Sequence, residues 1–266
     1  MAQLLLHKQS IGRAILPGLA AAVLALLGIA AQAAGLNDTG QTLCYSSTGN
    51  VVSCAGDQDG RFGRDAAAVA GVLPKTGAGA AGFDYTKIGN NGSVLAAGAT
   101  LGGNPTDWAC TRDNVTGLIW EIKTNLGGAE LRNVNYAYTW YSIVANNGGN
   151  AGSVGGNTCN NSLAAYGNQC NTTNYVLAVN AVGLCGHSDG WRLPTLKELQ
   201  SVVNSGAVSP AIDTTYFPNT QSSDYWSVSN FAAQPALAWS VVFDIGKSAA
   251  SAKSTLSYVR LVRGGQ

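Results

Sequence analysis

The sequence predicts an α+β fold: an antiparallel sheet with two or three helices, preceded by a Gly/Ala-rich N-terminal region. Three observations carry that expectation. A capped, periodic helix signal lies in the middle of the chain, strand-like aromatic and β-branched runs crowd its end, and all six tryptophans follow residue 105. Helices followed by strands, without regular alternation, argue for segregated α and β elements. Large aromatics bury the most area per residue, so the expected core lies within residues 105–266.

Before residue 105 only Ala66–Ala70 reads as a short helix, and Gly77–Gly82 reads as a loop. Gly117–Lys123 follows an Asn-Val-Thr-Gly turn and reads as a strand. The spacing predicts a helix over Asn133–Asn146, stopped by Asn147-Gly148-Gly149. The Asn/Gly/Ser/Thr-rich run 146–173 is too long for an ordinary connector unless something ties it, and a disulfide between Cys159 and Cys170 would do so. A second helix is expected over Asn174–Leu184, with Val176, Val179 and Val182 on one face and Thr172 or Thr173 as cap. Thr195 and Glu198 form a Thr-x-x-Glu capping box, Leu199, Val202 and Val203 follow on one face, and Gly206 is the expected stop. Asp224–Val228, Ala238–Asp244 and Thr255–Arg263 read as the closing strands.

The first 33 residues have the plan of a secretory signal peptide: Lys8 and Arg13, then an apolar run to Ala31, then Ala31-Gln32-Ala33 as the small residues a signal peptidase requires. Cleavage is expected after Ala33, and the first cysteine, Cys44, lies too far on for lipidation. The expected organisation is residues 1–33 as signal, 34–104 as a Gly/Ala-rich region with a small disulfide loop, and 105–266 as the main domain. Loss of Lys8 and Arg13 leaves 13 basic against 14 acidic residues, so the net charge moves from +1 to −1. Nucleic-acid binding depends on neutralising phosphates, and neither a basic excess nor a basic stripe is present. The expected location is secreted, periplasmic or on a bacterial surface, with no stable membrane insertion after cleavage.

Six cysteines in an oxidising compartment suggest three disulfides. Local spacing favours Cys44 with Cys54 and Cys159 with Cys170, which leaves Cys110 for Cys185, a preference among fifteen pairings. Zinc lacks ligands: there is no Cys-x-x-Cys pair, and His187 is the one histidine after residue 33. Asp57-Gln-Asp59-Gly60 resembles part of a calcium loop, but Ala68 stands where the twelfth-position acid belongs. A solvated turn is expected there, with structural calcium at Asp57 and Asp59 as the alternative and no other cofactor.

Five ordered motifs carry a family resemblance. They are Trp108-Ala-Cys110, Asp113–Glu121 with Trp120, Gly190-Trp191-Arg192-Leu193-Pro194-Thr195 with Glu198-Leu199, Tyr225-Trp226-Ser227, and Tyr258-Val-Arg260-Leu-Val-Arg263-Gly264. Over residues 105–266 the chain resembles the C-terminal domain family of the Legionella collagen-like adhesin, a family of unknown function. The resemblance implies a C-type-lectin-like or sulfatase-modifying-factor-like fold on exported proteins, with glycan binding and adhesion as in the namesake. Two departures are visible: no collagen-like Gly-X-Y stalk precedes the domain, and the slight acidity argues against sulfated polysaccharides.

The signature residues read mainly as architecture. Pro194 keeps Leu193 extended, Thr195 caps a helix, Trp191 fills the core and Arg192 holds carbonyls or a carboxylate. Trp226 and Trp239 could stack on a sugar ring, although their apolar strand neighbours favour packing, and Tyr141, Tyr225 and Tyr258 share that ambiguity. His187 adjoins Ser188 and Asp189, but neighbouring residues on an extended chain do not converge as a triad must. Glu121, Glu130 and Glu198 include no evident acid pair for glycoside hydrolysis. Formylglycine-generating chemistry would need free thiols. The leading expectation is a non-catalytic recognition or adhesion module for a glycan or cell surface, with segment 146–173 as a candidate recognition surface. The alternative is a structural component of a surface assembly that binds another protein, with an enzyme of formylglycine-generating type third.

Overall fold

A computed structural model describes residues 37–127, 130–144, 147–159 and 169–264. The expected signal peptide, residues 1–33, lies outside them. The described residues belong to one compact unit. It opens with a ribbon of β1 (Cys44–Tyr45) and β2 (Val51–Val52), closed by the Cys44–Cys54 disulfide. Next comes the short helix α1 (Gly63–Val69).

A four-stranded antiparallel sheet follows in the order β3-β4-β5-β9, from β3 (Tyr85–Gly89), β4 (Trp108–Asp113), β5 (Ile119–Glu121) and β9 (Val262–Arg263). The turn into β5 is built by Asp113, whose carboxylate accepts from Val115 N and Thr116 N, while Gly117 N bonds the Asp113 carbonyl. The composition change near residue 105 falls between β3 and β4. β3 lies before it and pairs with β4 along its whole length, from Tyr85 opposite Asp113 to Gly89 opposite Trp108.

The expected helix over 133–146 is absent from its described part. Tyr138 bridges Ser257, Thr139 bridges Asn171 and Tyr141 bridges Gly152, so the segment is extended and threads between other strands. Tyr136, Tyr138 and Trp140 pack into the core cluster while the intervening Ala137 and Thr139 are buried as well, so the segment is covered on both sides, and its aromatics and threonine favour the extended form over a helix. Gly152 is required beside it: its φ is 87°, and a Cβ there would collide with the Trp140 carbonyl.

Helix α2 (Thr172–Val182) begins slightly before the expected span, and its cap is Asn171, whose side chain accepts from Asn174 N, in place of Thr172 or Thr173. Its buried face carries Thr172, Tyr175, Ala178 and Val179, with Val176 packed against the core beside them, so the valine face held at Val176 and Val179 and failed at Val182, which is exposed. Helix α3 (Leu196–Gln200) has the full capping box of Thr195 and Glu198. It ends at Ser201, short of Gly206, because the following residues enter turns.

A second sheet, β6-β7-β8, contains β6 (Asp224–Asn230), β7 (Leu237–Val242) and β8 (Lys247–Ala252). The expected strand 255–263 is extended but changes partners as it goes. Ser257 exchanges bonds with Tyr138, Tyr258 with β6, Leu261 accepts from Glu121 N, and Val262 pairs with β5 and Arg192. This segment joins the two sheets. The core forms two clusters: Ile88, Cys110 and Trp191 belong to one, and Tyr85, Trp120 and Val262 to the other. Three antiparallel sheets and short helices make the fold α+β.

Candidate functional site

The cysteines pair as the spacing favoured. Besides Cys44–Cys54, Cys110 on β4 joins Cys185 beyond α2, and Cys159 joins Cys170 just before α2. Cys110, Cys159, Cys170 and Cys185 are buried, so these bridges belong to the core.

Trp191–Thr195 is held from three sides. Asn180 on α2 brackets Trp191 through both its backbone groups, and the indole donates to the Leu184 carbonyl. The Arg192 guanidinium makes a two-pronged pair with Glu198, at 2.8 and 2.6 Å, and also donates to the carbonyls of Leu193 and Gly264. Burial alone would raise the Glu198 carboxyl, but the Arg192 bonds and the Thr195 backbone outweigh it and hold it low. Glu198 thus caps α3 and anchors Arg192 together. Pro194 gives its carbonyl to Val228 N, and Arg263 donates to the Asp189 carbonyl.

The two candidate sugar-stacking tryptophans separate. Trp226 is fully buried and its indole donates to the Tyr138 carbonyl at 2.8 Å, so it cannot meet a ligand. Trp239 on β7 is half-buried and packs edge to face with Phe231, with centroids 5.1 Å apart and planes at 80°. Opposite it on β8 stands Ala250, itself exposed, so no bulky side chain covers it across the strand pair. Tyr225 is buried, while Tyr141 and Tyr258 are half-buried. Trp120 is buried with its indole nitrogen unpartnered.

One charged cluster has the residue types of acid–base chemistry. Glu121 accepts from Lys123 Nζ at 2.8 Å and from the Tyr175 hydroxyl on one oxygen, and from Leu261 N at 2.9 Å on the other. Lys123 also donates to the Tyr175 hydroxyl at 2.7 Å. Burial drives the ammonium from 10.5 down to about 8, with Glu121 pulling it back up, and burial holds the Tyr175 phenol well above its usual range. Nothing from solvent reaches this cluster: Glu121, Lys123 and Tyr175 are 0%, 3% and 1% exposed. Arg260 lies equally deep, with its guanidinium 5.0 Å from the Phe217 ring centroid and one bond to Thr220.

The calcium-loop fragment divides. Asp57 is exposed and stands apart, whereas Asp59 meets Asp38 and Asp65, each offering a carboxylate oxygen within 4.8 Å of the others. Asp65 is buried, and burial first, then the charges of Asp38 and Asp59, raises its carboxyl. It is also bonded to Gly40 N and Gly82 N, at 2.8 and 2.6 Å, which ties the N-terminal segment to the loop before β3. Among the described residues, these three carboxylates are the group that could hold a cation. His187 bonds through its backbone to Leu184, and burial together with Arg263 lowers its imidazole.

Sequence reasoning missed three buried lysines. Lys87 lies 3.8 Å from the Trp108 ring centroid, Lys123 4.2 Å from Tyr175 and Lys253 4.0 Å from Trp140. Lys253 also donates to the carbonyls of Asn147 and Asn150, pinning the start of segment 146–173. Residues 146 and 160–168 of that candidate surface lie outside the described residues. Lysine is ordinarily a surface residue, so only adjacency to aromatics in the fold reveals these roles.

Among the described residues no helix is long and apolar enough to cross a membrane. No curated protein and no solved structure matches the chain. Residues 109–263 match the Lcl C-terminal domain, so that the sheet from β4 onward, both later helices and the second sheet all fall within the match, and the chain belongs to the Lcl C-terminal domain family.

Proposed function

We propose that the protein is an exported, non-catalytic recognition module, built on a C-type-lectin-like arrangement, that binds carbohydrate on a cell surface. The observation that carries the proposal is Trp239, the one tryptophan left half-exposed, braced by Phe231 and facing Ala250 across the strands. A pyranose ring presents a flat apolar face, and a rigid indole loses little freedom on meeting it. Family membership and three disulfides fit a surface-exposed setting. The acid–base cluster around Glu121 is sealed, which favours binding over catalysis.

A glycan array probed with the disulfide-bonded protein and with Trp239→Ala tests the proposal. We expect one or more glycans bound by the wild type and lost in a variant with unchanged far-UV circular dichroism. Binding that survives the substitution contradicts the assignment to Trp239, and no glycan bound contradicts the carbohydrate reading. One observation favours a second reading: β8 is the outer strand of its sheet, and an outer edge offers unpaired backbone groups to a partner strand. A surface protein recovered by pulldown, and lost on Ala250→Pro, would support that interaction role.

A further inference from the structure

On a different part of the molecule, a cleft of about 260 Å³ opens between the stretch after β5 and the C-terminal end of α2. One wall is aliphatic, from Leu126, Leu131, Val179 and Val182. Leu126 and Val182 are among the exposed large hydrophobics, so this wall faces solvent. The other wall is polar, with Asn90, Thr124, Glu130 and Arg132.

Two polar atoms here have no partner. Thr124 is 2% exposed, and its Oγ1 makes no hydrogen bond, although its backbone is fixed by exchange with Arg132 and Val134. Glu130 Oε2 is likewise buried and unpartnered. Arg132 does not neutralise Glu130 by an ion pair among the described residues. Its Nη1 is taken up by the carbonyls of Ala109 and Ile122, at 3.1 and 2.8 Å. The last turn of α2, which borders the cleft, contains no basic residue, so its carbonyl end adds negative potential. Asn90 spends its amide on the carbonyls of Gly102 and Asn104, which turns its oxygen into a further acceptor.

The polar wall therefore offers acceptors and a carboxylate beside a short aliphatic wall, in a volume below that of drug-sized pockets. We infer that this cleft binds a primary alkylammonium group, its N–H donors meeting Thr124 and Glu130 while its methylenes lie on Leu131 and Val179. A lysine side chain of a partner protein and a free polyamine share this chemistry. The site is independent of Trp239.

The test is an NMR titration of the disulfide-bonded protein with n-butylammonium, and with n-butanol as the neutral analogue. Butylammonium is expected to shift the Thr124 and Leu131 amides, to bind at least tenfold more tightly than butanol, and to weaken about tenfold in Glu130→Gln. Thr124→Val is expected to weaken it to a smaller extent. Because Glu130 is partly exposed, its variant keeps the test sound should Thr124→Val fail to fold. Comparison of Nα-acetyl-lysine methylamide with 1,5-diaminopentane identifies the source, the tighter binder naming it. Equal binding of butanol, unchanged affinity in Glu130→Gln, or no shift at all would overturn the inference and assign the unpartnered atoms to ordered water.

Discussion

Replacing Glu121 by glutamine removes the carboxylate that compensates the buried Lys123 ammonium while nearly preserving volume. Even beside Glu121, burial holds that ammonium at about 8 instead of 10.5. The difference corresponds to roughly 3 kcal/mol of residual cost at pH values where the lysine is charged. Without Glu121 the attraction disappears, and breaking a buried pair costs about 3–5 kcal/mol. The amide also cannot accept on both sides, so either Leu261 N or the Lys123–Tyr175 pair loses an acceptor. The expected loss is about 3–5 kcal/mol near pH 7, read from urea unfolding followed by tryptophan fluorescence.

The pH dependence sharpens the test. Because the folded-state value of Lys123 is depressed, the unfolded chain still holds its proton between about 8 and 10.5 when the folded chain has released it. Wild-type stability therefore rises with pH across that window. The raised phenols of Tyr85, Tyr138 and Tyr175 act oppositely, and their contribution is lost as pH climbs above 10. Since the ion pair exists only while Lys123 is charged, the cost of Glu121→Gln should shrink above about 8. A loss under about 1 kcal/mol near neutral pH, or an equal loss on both sides of that value, would refute the reasoning.

Four further outcomes follow from packing, covalent structure and helix capping. Trp226→Ala should cost about 3–5 kcal/mol in chemical denaturation, because it empties a fully buried site and removes the indole's bond to the Tyr138 carbonyl, which keeps only Ser257 N as a donor. Joint replacement of Cys110 and Cys185 by alanine, which opens a sequence separation of 75, should cost roughly 4–5 kcal/mol. The same change at Cys159 and Cys170, separated by 11, should cost roughly 3 kcal/mol, so calorimetry should rank the first variant lower. Thr195→Ala removes the cap of α3 and should cost about 1 kcal/mol, measured by thermal melting.

Legibility in the sequence tracked how local the determining contact is. The Thr195–Glu198 box joins residues three apart, and two of the disulfides close short loops, so spacing alone pointed to them. The run 133–146 misled because its partners, Ser257, Asn171 and Gly152, come from elsewhere in the chain. β8 escaped notice because Lys-Ser-Ala-Ala-Ser-Ala has weak strand propensity, and pairing with β7 imposes its form. Trp226 and Trp239 have similar strand neighbours in sequence, and only the fold buries one and leaves the other half-open. Thr124 and Glu130 carried no motif at all. Their interest arises from unpartnered atoms on one cleft, which no spacing rule detects.

The carbohydrate proposal is tested most directly at the six indole N–H groups, observed by NMR while a glycan selected on the array is titrated in. Trp108, Trp120, Trp140, Trp191 and Trp226 are buried, so only the Trp239 signal should move with saturating dependence on ligand. A saturable shift at Trp239 alone is the predicted result. Binding that leaves the Trp239 signal in place, or moves a buried indole instead, would contradict the account.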